Sequence, residues 1–189
     1  ALWPVVQDLR TSVTMPIQPW DARTAAIRIA TDSTPTKIPS NGPAPNVVVI
    51  ILESFSAVYS AELAGGPGYM PFLDSLMRES LYFTHAYANG RRSIDGIPAI
   101  LAGIPELMDE AFITSPYAGR PFTTLANTLG SEGYHTSFYH GGRNGTMGFD
   151  GFTRSAGFHQ YVGLNEYKGT PADHDGHWGI RDRPFLQHY

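Results

Sequence analysis

Asn46-Val47-Val48-Val49-Ile50-Ile51-Leu52-Glu53 is a β-branched apolar run that ends in an acid. It is too short for a typical helix and apolar on both faces, the pattern of a central strand in a parallel sheet covered on both sides. Upstream, Thr34 to Pro45 holds four prolines and reads as an extended linker, preceded by a short helix expected around Asp21 to Ala30. Downstream, helix-like and strand-like segments alternate. Met70 to Ser80, Gly96 to Ala102, Thr123 to Glu132 and Trp178 to His188 read as helices; Leu81 to Tyr87 and His135 to His140 read as strands. The expected class is α/β, with helices covering a mostly parallel sheet. The domain division is 1–45 as N-terminal segment and Pro-rich linker, then 46–189 as the α/β part.

The bulk composition limits the alternatives. With 42% hydrophobic and 12% aromatic residues among 189, the chain can bury a real core. Charged residues make up 16% and the net charge is −4, so nothing favours a nucleic-acid partner. The absence of cysteine excludes disulfides, thiolate metal sites and cysteine nucleophiles. No apolar run reaches the roughly 20 residues that span a bilayer.

In open α/β sheets ligands gather at the carboxyl ends of strands, which directs attention to three places. Glu53 is either a solvated strand-end carboxylate or a hard oxygen ligand for a divalent cation. In the loop Asn89-Gly90-Arg91-Arg92-Ser93, Pro98 fits the first turn of the following helix, which puts Ser93 just ahead of the helix start. Ser93 is then an N-cap or a nucleophile; Arg91 and Arg92 suit a phosphoryl group but are equally able to pair on the surface. The third place, His140-Gly141-Gly142-Arg143-Asn144-Gly145, combines glycines that permit close backbone approach with donors for phosphate or hydroxyl groups. Asp173-His174-Asp175-Gly176-His177 carries four potential ligands at a spacing that fits no standard metal site, and reads as a solvated loop.

The order of these motifs resembles that of the lipoteichoic acid synthase and phosphoglycerol transferase family, within the sulfatase-like alkaline phosphatase superfamily. The likeness rests on Asn46 to Phe55, Met70 to Leu76, Phe83 to Ser93, Phe138 to Gly142, Gly148 to Phe152 and Trp178 to Asp182. It implies the N-terminal half of an alkaline phosphatase-like α/β/α sandwich, with Glu53 and Ser93 as metal ligands and Ser93 as nucleophile, where the family commonly has Thr. It also implies His140 as a substrate contact, beside Arg91, Arg92, Arg143 and Asn144, which the loops themselves offer for substrate binding, and a divalent metal, manganese, as cofactor. The activity implied is transfer of a phosphoglycerol-type head group from a phospholipid donor to a glycan or other alcohol acceptor. The location implied is extracytoplasmic, anchored by membrane-spanning helices preceding Ala1. The family completes its metal site with an Asp-His pair farther along, so this chain alone is expected to bind metal weakly and not to turn over.

Two features of the chain depart from related patterns. Thr146-Met147-Gly148-Phe149-Asp150 stands where the family places a Trp and an Arg against glycerol phosphate, which leaves phosphoethanolamine transfer and phosphodiester hydrolysis open. Ser93-Ile94-Asp95-Gly96-Ile97 has neither the Pro nor the Arg of the Cys/Ser-x-Pro-x-Arg motif that sulfatases mature, which argues against sulfate-ester hydrolysis. The non-enzyme alternative is a degenerate relative that binds lipid head groups or glycans.

Overall fold

A computed structural model of the protein describes residues 44–84 and 86–189. The helix expected at Asp21 to Ala30, and the Pro-rich segment up to Gly42 and Pro43, lie outside the described residues. The chain divides into two compact units, 1–82 and 83–189.

In the first unit, two helices are set by their ends. Ser60 caps helix α1, Ala61–Ala64, by accepting from the Leu63 N–H. Helix α2, Pro71–Arg78, starts with Pro71 in its first turn, where the missing N–H costs nothing. Asp74 of α2 is buried, and its carboxylate accepts from the Ser60 hydroxyl and from the Ala61 and Glu62 N–H groups at 3.1 and 3.4 Å. It therefore satisfies the open amides at the start of α1 and fixes α2 against them. An Arg78–Glu62 ion pair at 2.6 Å adds a solvent-facing tie.

The run Asn46 to Leu52 is not a strand in this unit. It pairs with no neighbour among the described residues, and both faces are open, with Val48 79% and Val49 48% exposed. An apolar strand is buried only when flanking strands and two covering layers are supplied, and the described residues of this unit include no other strand. Leu81 to Tyr87 likewise forms no ladder in its described residues, which exclude His85.

The second unit holds helix α3, Ser93–Ala102, helix α4, Leu125–Ser131, strand β1, Ser137–Tyr139, helix α5, Phe149–Ser155, strand β2, Gln160–Val162, and helix α6, Asp182–His188. β1 and β2 pair in parallel, with Ser137 opposite Gln160 and Tyr139 opposite Val162, and α5 lies in the crossover between them. The core gathers Ile97 and Leu101 of α3, Ile113, and Phe149, Phe152 and Ala156 around α5. Phe122 stacks on Phe152 at 5.7 Å, and Phe138 of β1 meets Phe149 and Phe158. Each such side chain, fully buried, contributes on the order of 1.5–3 kcal/mol. Thr124 caps α4 through a reciprocal box with Asn127, and its hydroxyl also donates to the Ala156 carbonyl, tying α4 to the end of α5.

Two expected helices have different bounds. α3 begins at Ser93, three residues before the expected Gly96, and Pro98 sits buried in its second turn. The proline removes the bond to the Ile94 carbonyl, while its ring gains core contact. The C-terminal helix starts at Asp182 because Trp178 to Ile180 are used otherwise. The Asp175 carboxylate accepts from the N–H groups of His177, Trp178 and Gly179, and Gly179 and Ile180 bridge to Gly142 and His174.

Two expected outcomes follow. A Cβ on Gly179 would overlap the Gly141 carbonyl oxygen and come within 2.9 Å of the Gly142 Cα, both backbone atoms. Gly179→Ala is expected to lower stability by about 1–3 kcal/mol, read by denaturant unfolding. The Ser60 hydroxyl, with the backbone amides of Ala61 and Glu62, holds the Asp74 carboxyl below its ordinary value. A depressed native pKa gives stability that is present above the unfolded value, about 3.9, and lost as pH falls through the native value. Melting curves below about pH 4 should therefore fall less steeply for Asp74→Asn than for the wild type.

Candidate active site

Ser93 is the first residue of the ten-residue helix α3, and Arg92, in extended conformation, occupies the cap position. Ser93 therefore lies within the helix rather than just ahead of it. The first-turn amides of Asp95 and Gly96 both donate to the Arg92 carbonyl, at 3.0 and 2.9 Å. The Arg92 side chain forms a fork with Asp95, Nε to Oδ2 at 2.9 Å and Nη2 to Oδ1 at 3.1 Å. Asp95 is buried, and its carboxylate raises the already high Arg92 pKa through these hydrogen bonds and its charge. Arg91 is exposed and Ser93 half-buried.

The loop before the helix lies directly on its first turn. A Cβ at Gly90 would stand 2.7 Å from the Asp95 Cβ and 2.9 Å from the Asp95 carbonyl carbon and the Gly96 nitrogen. Only glycine fits that approach without displacing backbone. Neither Gly90 nor Asp95 stands out in the sequence as a residue that shapes this helix start. The usable signal is an acid three residues after a basic cap, at the third helical position, where i,i+3 side chains meet.

The second group of expected site residues divides by function. The His140 N–H donates to Val162 at the end of the β1–β2 pair, and its ring meets Phe149 edge-on at 5.0 Å. Gly141 and Gly142 do permit a close backbone approach, but the partner is Gly179, Ile180 and the His140 ring. Asn144 is committed internally: its amide donates to both Glu166 oxygens at 3.2 and 3.0 Å, and its carbonyl oxygen accepts from the Asn165 N–H. Glu166 also accepts from the Gly163 N–H, and the Asn144 bonds, followed by this one, lower its pKa. Arg143 is exposed.

Glu53 is exposed and stands immediately before Ser54, which adopts φ +60°, a left-handed backbone uncommon outside glycine. Such positions concentrate at turns and functional sites. Among the described residues, no group of three or more His, Cys, Asp or Glu could hold a metal ion. Asp173 and Asp175 are occupied elsewhere, Asp173 by Thr170 and Tyr167 and Asp175 by the turn at 177–179. Glu53 and Ser93 each carry hard oxygen of the kind divalent cations take.

Comparison with known proteins identifies the family. The Sulfatase family profile matches residues 45–188. The chain belongs to the Sulfatase family. Its curated relatives include a lipoteichoic acid synthase-like protein, YvgJ, of Bacillus subtilis, 23% identical over 75% of this chain and 23% of that protein. A solved member of the alkaline phosphatase superfamily from Vibrio parahaemolyticus is 35% identical and superposes with a TM-score of 0.61 over 68% of this chain and 31% of that one. The lipoteichoic acid synthase LtaP of Listeria monocytogenes superposes at 0.57, with 18% identity over 65% of this chain and 30% of its own. This Sulfatase-family chain thus carries part of the α/β fold of the alkaline phosphatase superfamily. The chain spans about a quarter of the curated relative and under a third of either solved chain.

The division between Asn144 and Arg143 is directly testable. Removing the Asn144 clip is expected to cost about 1 kcal/mol, whereas Arg143→Ala should stay within about 0.5 kcal/mol of wild type in the same thermal melts.

Proposed function

We propose that this Sulfatase-family chain carries the nucleophile of a metal-dependent transferase acting on phospholipid head groups, in the manner its lipoteichoic acid synthase-like relatives suggest. The observation that carries this reading is Ser93 at the N-terminus of a ten-residue helix, preceded by two arginines. The dipole of that helix end favours an anion, and the guanidinium groups match phosphoryl oxygens.

In the proposed reaction, the Ser93 oxygen forms a bond to phosphorus as the bond from phosphorus to the lipid alcohol breaks. The hydroxyl proton ends on the departing alcohol, leaving a phosphoglycerol-type group on Ser93. An acceptor alcohol then forms the new phosphoester and returns a proton to Ser93. Arg91 and Arg92 hold the non-bridging oxygens, and His140 and Arg143 are assigned to the head group. Asn144, given its bonds to Glu166 and Asn165, shapes that loop instead of reaching substrate. Members of the superfamily are generally metal-dependent; Glu53 and Ser93 would be the ligands from this chain, and a bound manganese ion would lower the hydroxyl pKa and neutralise phosphoryl charge. The work is assigned to the extracytoplasmic face of a membrane; no helix among the described residues is long and apolar enough to cross one.

A phosphoester is favoured over a sulfate ester despite the family name. Asp95 and Ile97 stand where the sulfatase maturation motif requires Pro and Arg, and Asp95 is buried against Arg92. One observation supports a second head group. At 145–148, Gly145, Met147 and Gly148 all have positive φ, and this tight turn replaces the Trp and Arg expected to hold glycerol phosphate. Phosphoethanolamine transfer or phosphodiester hydrolysis would use the same nucleophile.

Ser93→Ala in the full-length protein is expected to reduce cleavage of bis(p-nitrophenyl) phosphate by about a thousandfold or more. Mass spectrometry of acid-quenched wild type should place a phosphoester on the peptide containing Ser93. A Ser93→Ala protein with the wild-type rate sinks the proposal.

A further inference from the structure

We infer that Asp95 is a positioning residue: its buried carboxylate holds the Arg92 guanidinium in a fixed fork next to Ser93, so that the remaining N–H groups of Arg92 are presented to a phosphate-class oxyanion. This rests on the reading of Ser93 as the anion-binding nucleophile and adds the group that aims its neighbour.

Three observations carry it. The first is the asymmetry of the pair: the Asp95 side chain is 1% exposed while that of Arg92 is 59% exposed. An ion pair formed only for the surface would leave both partners in water, where such pairs contribute little. Here the anion is fixed inside and the cation projects from it. The second is where the Asp95 oxygens go. An acid at the third position of a helix ordinarily serves the open amides of the first turn. Both Asp95 oxygens are instead taken by Arg92, through Nε and Nη2, while the first-turn amides of Asp95 and Gly96 use the Arg92 carbonyl. A guanidinium has five N–H donors in a rigid plane, so a two-point fork sets the direction of the other three.

The third observation is the enclosure of Asp95. Gly90 lies against its Cβ and backbone with no room for a side chain, and Ile104, Pro105 and Phe112 line the small cleft beside it together with Glu106 and Glu110. Ile94 and Ile97 on either side of Asp95 pack into the core. The carboxylate cannot readily turn away, so Arg92 receives a fixed partner.

The test is a double-mutant cycle on Arg92 and Asp95 in the full-length protein, read by affinity for inorganic phosphate and by kcat on bis(p-nitrophenyl) phosphate. Asp95→Asn keeps the shape and removes the charge; phosphate affinity and kcat are each expected to fall about tenfold, the scale of one misaimed charge-assisted contact. In an Arg92→Ala background, Asp95→Asn should have no further effect on either. An equal loss in both backgrounds would show that Asp95 only supports the helix and would overturn the inference. So would wild-type affinity and kcat in Asp95→Asn, or a wild-type protein with no measurable phosphate binding. If Asp95→Asn fails to fold, Arg92→Lys replaces it: it keeps the charge but cannot fork, and the same loss is expected in a folded protein, with wild-type values counting against the inference. A full-length protein that binds phosphate in an Asp95-dependent way but cleaves no phosphodiester would remove the transferase reading and leave this one standing.

Discussion

The second unit is organised by the contact of helix α3 with the aromatic core around α5. Ile94, Ile97 and Leu101 recur on one face of α3 and pack with Phe149, Phe152 and Ala156. Because interiors of this kind are closely packed, that contact fixes the axis of α3 and hence the direction in which its N-terminus opens. Pro98 is part of the same constraint. Its buried ring forfeits one helix hydrogen bond, yet the helix continues to Ala102, since core packing outweighs the missing bond. Ser93 and Arg92 have their positions only because the turn that carries them is attached to this anchored rod.

Around that anchor, side chains that look available for ligands are largely used to build loops. Asn144 ties the segment after β1 to Asn165 and Glu166 after β2, and the Asp175 carboxylate organises the turn at 177–179. Asp74 does the equivalent work in the first unit, where it replaces solvent at the start of α1. Each of these groups accepts or donates at least two bonds, and a polar group so engaged would lose them on turning to a ligand. Of the expected site residues in the second unit, Arg91, Arg92 and Arg143 are the exposed ones.

How much of this could be read in the sequence depends on how local the deciding interaction is. α2 and α4 follow from amphipathic spacing, Pro71 and the Thr124 cap, all within a few residues, and the structure places them within two or three residues of expectation. Pro98 alone suggests a first turn and hence a later start for α3, whereas the helix begins at Ser93, with the Arg92–Asp95 fork and the Gly90 approach at its first turn. β2 was not legible: Gln160-Tyr161-Val162 is too short to show a period, and its strand character comes from pairing with β1 across 23 residues. Val47 to Leu52 has the composition of a buried strand, but composition cannot supply flanking strands. For the site, the loops were identified from the ends of apolar segments; which of their side chains face inward required the fold.

The Arg92–Asp95 pair also bears on which ester the site would handle. Sulfate monoesters and phosphodiesters both carry one negative charge in the ground state, so charge alone does not separate them. The difference lies in the nucleophile: the sulfatase route needs a side chain converted beforehand, guided by Pro and Arg at the two positions held here by Asp95 and Ile97. Ile97 is buried in the core and Asp95 is enclosed under the loop, so both positions are used in building the helix end. On the proposed reading an unmodified serine acts directly, which would require stabilising its oxyanion and the phosphoryl oxygens together. On that reading, the helix dipole and a cation held at a fixed angle beside Ser93 would meet part of that requirement with a single ion pair.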